Sequence, residues 1–367
     1  MVNIHRLKDL SFIRWALLSL LITLGSDLYA SKSETENHEK VKAEYNAGEA
    51  IIEHIVDSYS WHIMDIGEHA IAIPLPVILI DEGDFYCFSS AHFEHGHASY
   101  KGFEIAHDGE NKGKIVKLGN DAHAEQHLPL DLSITKNVMA IFISLIIISV
   151  IFISVANSYK KRTGMAPKGL QSLLEPLILF IRDDIAKAAI GEKKYEKYVP
   201  FLLTIFFFIF INNLMGLIPF FPGGANVTGN IAVTMVLAIF TFLITSFSGN
   251  KQYWMHIVNT PGVPWWLKFP VPLMPIVEIV GLFTKPFVLM VRLFANIAAG
   301  HIIVLGFISL IFIFGNMSPI LGYGVSIVSV AFAIFMGLLE LLVAFIQAYV
   351  FTLLSALYFG MATEEHH

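Results

Sequence analysis

Arg292 stands in VLMVRLFANIAAGHIIVL, a stretch with no carboxylate within a helical turn to neutralise it. Between Val199 and Ala362 the chain holds four Lys or Arg residues: Lys251 and Lys268 in a polar break, Lys285 and Arg292 inside an apolar run. An Arg at bilayer depth costs from about 3 to more than 10 kcal/mol, so its default reading is functional. The same run carries Glu278, Asn296 and His301, and the next apolar run carries Glu340 and Gln347. Carboxylates and imidazoles exchange protons over a wide pH range, whereas a guanidinium stays charged. A fixed cation between titratable groups is the layout of two aqueous half-paths separated by an electrostatic plug.

Helical geometry sharpens this. On an ideal helix Glu278, Lys285 and Asn296 fall within about 40° of Arg292, with His301 nearer the opposite side. Glu278 lies about 21 Å to one side of Arg292 along the axis and His301 about 13 Å to the other. Residues 292 and 347 have their midpoint at 319.5, and 301 and 340 at 320.5, both at the Asn316-Met317-Ser318-Pro319 turn signal. A hairpin hinged there places Gln347 level with Arg292 and Glu340 level with His301. Plainer roles stand beside these: His301 and Glu340 as an ion pair fixing helix packing, Lys285 as a snorkelling or packing residue, and Asn296 and Gln347 as interhelical hydrogen-bond glue.

The elements that must position these groups are apolar. The mean hydropathy of +0.63, with 55% hydrophobic residues, describes a polytopic membrane protein. The single Cys87 excludes an internal disulfide framework, and no glycine-rich phosphate loop follows a strand. Five hydrophobic segments are expected: Val138–Ala156, Val199–Phe220, Gly229–Phe247, and two long ones, Val271–Phe314 and Leu321–Phe359. The last two exceed one perpendicular span and predict a long tilted hairpin. The expected architecture of the membrane part is all-α, over residues 135–367.

The rest of the chain sets orientation. Arg6, Lys8 and Arg14 before the apolar run Trp15–Leu24 predict a signal peptide over 1–30, with an uncleaved anchor as the alternative. Residues 31–134 hold ten His and predict a small extracytoplasmic domain, with short strands around Ile71–Ile78 and a turn at Glu82-Gly83-Asp84. Ser33–Tyr45 reads as disordered or a surface helix. Residues 157–198 contain nine Lys or Arg while 221–228 and 315–320 contain none, which places the C-terminus in the cytoplasm and the N-terminal region outside the inner membrane. Residues 170–190 predict an amphipathic helix on the cytoplasmic surface. His92-Phe93-Glu94-His95-Gly96-His97 could bind a metal, but no closed ligand set is legible, so neither metal nor cofactor is expected.

Lys285-Pro286, Arg292-Leu293-Phe294-Ala295-Asn296 and Gly300 resemble the signature of subunit a of the F-type ATP synthase. Ile346-Gln347-Ala348-Tyr349-Val350-Phe351, the closing YFGMATEE and Asn213-Leu214-Met215-Gly216-Leu217-Ile218-Pro219 resemble that family's last helix, C-terminus and second span. The resemblance covers roughly 135–365. It implies that Arg292 faces a ring of c subunits and bars direct proton flow, with Glu278 near the cytoplasmic exit. It further implies that Asn296, His301, Glu340 and Gln347 line the outer path, with Lys285 and Asn213 in support. The partners implied are the c ring, the b-subunit peripheral stalk and the whole synthase in its bilayer; nucleic acid is not among them, and the chain is not an enzyme on its own. His301 and Glu340 are exchanged relative to many bacterial relatives, which have Glu first and His second. Sodium coupling remains an alternative, and a secondary transporter or a His-rich metal transporter would need internal repeats or clustered ligands that the spans lack.

Overall fold

The computed structural model describes residues 48, 51–52, 55–66, 69–96, 98–107, 109–118, 127–218, 221–258 and 273–364. All of them belong to one compact unit, Tyr45–His367. The expected signal peptide and the Ser33–Tyr45 stretch lie outside the described residues.

The N-terminal part of this unit is built from short antiparallel strands. β1 (Ser60–Ile66) pairs with β2 (His69–Pro74), and β3 (Pro76–Asp81) pairs with β4 (Asp84–Ser89). β5 (Phe103–Ile105) pairs with β6 (Ile115–Lys117), and β7 (Leu130–Asp131) adds to the free edge of β3. Glu82 and Gly83 both take positive φ, the two-residue turn that matches the twist of a hairpin, as the turn signal there predicts. Strict alternation along β3 sends Val77, Leu79 and Asp81 inward, where Val77 and Leu79 join Phe88, Phe93, Phe103 and Ile115 in a core. The buried Asp81 carboxylate is balanced by Lys117 Nζ at 2.5 Å and His127 Nδ1 at 3.1 Å. All-α therefore describes the membrane part alone.

Five helices are long and apolar enough to cross a membrane. α1 (Lys136–Lys161) starts where Val138 N donates to Thr135 Oγ1 and Asn137 N donates to the Asp57 carboxylate, so a residue just before β1 caps it. α2 (Leu170–Leu179) runs on through a π-helical turn, Phe180–Lys187, to Ala188–Ile190. It buries Leu174, Ile181 and Ile185 and exposes Arg182, Asp183 and Asp184, with Leu170, Leu173 and Leu179 exposed as well. Its last turn passes Gly360 so closely that a Cβ there would collide with the Ala189 carbonyl.

α3 (Val199–Leu217) and α4 (Ile231–Ser248) are single spans, and α5 (Lys251–Val258) is a short helix after them. α6 (Leu273–Met317) and α7 (Pro319–Thr363) have 45 residues each, about 67 Å at 1.5 Å per residue. That is about twice a 30 Å hydrocarbon core, so both must incline or bend to stay within it. Only Ser318 separates them, at the predicted turn; Pro319 fits the first helical position, where no N–H is needed. The core shared by these helices includes Leu202, Phe206, Ile209, Leu289, Leu293, Ala348, Phe351 and Phe359.

Candidate functional site

The α6–α7 hairpin is zipped by small and aromatic residues. A Cβ on Gly322 would strike the Gly315 backbone, Phe307 stacks on Phe332 at 5.3 Å, and His301 Nδ1 lies 3.5 Å from Glu340 Oε1. Further from the turn, Lys285 Nζ sits 5.7 Å from the Tyr358 ring centroid. The midpoints of these pairs move from 318.5 through 319.5 and 320.5 to 321.5. Levelling of His301 with Glu340 therefore holds, while Gln347 falls about three residues, or about 4.5 Å, nearer the turn than Arg292. The cause is geometric: 30 residues of α6 are matched by 36 of α7, as when one helix of a pair is inclined or curved along the other.

Between α3, α6, α7 and the loop 221–230 lies a cavity of ≈ 330 Å³. Its lining brings together five residues singled out from the sequence: Asn213, Asn296, His301, Glu340 and Gln347. Gly300 makes room for the carboxylate, since a Cβ there would overlap Glu340 Oε1. Asn213 ties the wall together: its Nδ2 donates to the Ala344 carbonyl at 3.2 Å, and its Oδ1 accepts from Thr228 Oγ1. His301 and Asn296 line the same cavity although an ideal helix turns them well apart, because the cavity wraps around that side of α6.

Three polar lining residues were not singled out in advance: Asn212, Asn226 and Thr228. Asn212 Nδ2 donates to the Phe208 carbonyl, while Asn212 Oδ1 and Asn226 Nδ2 are buried with no protein partner. The signal for Asn212 was present as an Asn-Asn pair in an apolar helix; Asn226 and Thr228, in a short loop, carried none.

Arg292 does not line the cavity. Asn296 reaches the cavity one turn further along α6, about 6 Å away. Arg292 is exposed, and among the described residues its side chain makes no ion pair or hydrogen bond. Around it on the same face Val288, Ala295 and Asn296 are also exposed. Beyond Arg292, away from the turn, a small void of ≈ 20 Å³ is bordered by Thr241, Thr245, Tyr253, Lys285 and Tyr358. That is room for about one water. Glu278 lies past it, near enough to Tyr253 on α5 for the carboxylate, after burial, to raise that phenol's pKa. Lys285 thus sits against an aromatic ring.

Among the described residues no group of three His, Cys, Asp or Glu could hold a metal. His92 Nδ1 donates to the Ser89 carbonyl, and the ring stacks on Tyr100 at 4.2 Å.

Fold and cavity define a multi-pass membrane protein with a cavity between its helices, a His–Glu pair in its wall and an exposed arginine beside it. The family described as ATP synthase A chain matches residues 138–360, and a domain family of unknown function matches residues 50–133. The chain is 48% identical over 255 residues to ATP synthase subunit a of Chloroherpeton thalassium, covering 65% of this chain and 72% of that one. It is 45% identical over 289 residues to ATP synthase subunit a 2 of Chlorobaculum tepidum, covering 73% and 78%. With subunit a of Myxococcus xanthus it shares 44% identity over 245 residues, covering 65% and 75%. The chain belongs to the F-type ATP synthase subunit a family, the proton-channel stator subunits of that machine.

Proposed function

We propose that the cavity is one half of a divided proton path and that Arg292 is the divider. The observation that carries this reading is the pairing of a cavity that holds His301 and Glu340 and ends one turn short of Arg292 with an Arg292 side chain that is exposed and uncompensated. An exposed guanidinium amid apolar surface at membrane depth requires a partner of opposite charge. The carboxylate of a small c subunit, arriving on a rotating ring, is such a partner.

The physical logic is differential stabilisation. A ring carboxylate facing lipid must be neutral, whereas one facing Arg292 ionises because the cation offsets its desolvation. It loads or unloads according to which half-path it faces. His301 and Glu340, in contact at one depth, pass protons between the cavity and the ring, with Asn296 and Gln347 at the ring end of that path. Glu278, beside Tyr253, serves the opposite exit toward the cytoplasm. Exchange of His and Glu relative to many bacterial relatives keeps one imidazole against one carboxylate. A proton falling through 100 mV yields about 2.3 kcal/mol, so several must pass per ATP. The chain itself breaks no bond; it directs protons while the b-subunit stalk holds it still, with the strand-built region in the periplasm and the C-terminus in the cytoplasm of a cell with an inner membrane.

Cross-linking tests the ring assignment. Cysteines at Val288 and Ala295, on the Arg292 face, should form disulfides with a two-helix subunit carrying a mid-membrane cysteine. A cysteine at exposed Ile146 on α1 should not. Cross-linking from Ile146 alone would reject the assignment.

A further inference from the structure

The strand-built region lies outside the segment matched by the ATP synthase A chain family, yet it packs against the loop that walls the cavity, with Trp61 at the contact and Ile73 beside it. Trp61, on β1, is 2% exposed and packs with Ala140 of α1 and with Ala225 and Val227 of the loop 221–230. Its indole also meets the Phe221 ring edge-on at 5.2 Å. The loop segment alternates: Ala225 and Val227 go to Trp61, while Asn226 and Thr228 line the cavity. One side of the loop is thus anchored and the other presented to the cavity.

Hydrogen bonds from Gly224 N to the Met215 carbonyl and from Thr228 to Asn213 hold the cavity side of the loop; its other side rests on apolar packing. Its sequence, FPGGANVTGN, has three glycines, and three of its four apolar side chains meet the Trp61 cluster. What it presents is close to the proton-exchanging pair. A Cβ on Gly216 would lie 3.5 Å from both the Ala225 carbonyl oxygen and His301 Nε2, so that carbonyl and that imidazole share one small space. Thr228 donates to Asn213, which is itself bound to the α7 backbone at Ala344.

We infer that Trp61 is a positioning residue for proton conduction: the strand-built region clamps the loop 221–230 from outside so that Ala225, Asn226 and Thr228 stay ordered around His301. The inference rests on the cavity being a proton path. Trp61 touches no proton carrier itself; it acts through Ala225 and Val227. An unclamped loop lets the Ala225 carbonyl and the Asn226 amide drift, and misplacement of about 1 Å at a site of proton transfer is enough to cost orders of magnitude in rate.

Passive proton conduction through the membrane sector, in vesicles stripped of the ATP-hydrolysing head, is the readout, normalised to assembled complex. Trp61→Ala should lower conduction about tenfold or more, and Trp61→Phe, which keeps an aromatic wedge, should retain most of it. Val227→Ala weakens the same contact from the loop side and should also reduce conduction. The double variant should be no worse than the more severe single one, since both cut one contact. Wild-type conduction in assembled Trp61→Ala complexes overturns the inference; should that variant fail to assemble, wild-type conduction in Val227→Ala overturns it instead. Glu340→Ala separates the two levels. Wild-type conduction there removes the cavity reading itself, whereas a dead Glu340→Ala beside a normal Trp61→Ala removes only the clamp.

Discussion

Glu340 Oε1 lies 3.5 Å from His301 Nδ1 across the α6–α7 hairpin, in a pocket left open by the missing side chain of Gly300. Both side chains are mostly buried, at 19% and 13% exposure, and both face the same cavity. A carboxylate and an imidazole at one depth can hand a proton either way.

The pair should therefore tolerate reversal better than loss. His301→Ala and Glu340→Ala should each lower ATP-driven proton pumping about a hundredfold, the scale of losing a positioned proton-transfer group. The double exchange His301→Glu with Glu340→His should recover much of it. Acidification of inverted vesicles measures this, and a double exchange as inactive as either single loss would show that the residues are not a reciprocal pair.

Gly300 is expected to be sensitive because of what it faces. Gly300→Ala places a methyl where the Glu340 carboxylate sits, so the carboxylate must turn away from His301. Pumping should fall with assembly intact. Gly306→Ala, six residues along the same helix, puts its methyl into open space and should be silent. Equal effects would point to general helix stiffening instead.

Lys117 supplies a test in the strand-built region. Hydrogen bonds to the Asp81 and Glu82 carboxylates raise the Lys117 pKa above its ordinary 10.5. A raised lysine pKa stabilises the fold fully below 10.5 and loses that contribution as pH climbs through the folded value. Thermal unfolding of the purified chain in detergent should thus show wild type above Lys117→Met at neutral pH, with the gap closing well above pH 10.5. A gap unchanged in alkali would mean that the charge contributes nothing.

Much of this was legible in the residues. The five apolar runs became five helices, with ends shifted by a few residues, and the Asn316–Pro319 signal became the turn between α6 and α7. Length and hydropathy decide such elements because a membrane leaves the backbone few alternatives. His301 could be matched to Glu340 since both lie near the hinge, where little offset has accumulated. Arg292 and Gln347 lie further out, and there the unequal paths of the two helices shift the register. The third wall of the cavity was hidden for another reason. Asn226 and Thr228 come from a loop whose place depends on Trp61, 165 residues away from Asn226 in sequence, and no local pattern encodes that contact.

Arg292 bears the central claim, and ATP-driven proton pumping by Arg292→Ala in membrane vesicles tests it most directly. With the complex assembled in normal amount, the account predicts that pumping is abolished, because nothing then offsets an ionised ring carboxylate or separates the two half-paths. Pumping at the wild-type rate by that variant would contradict it.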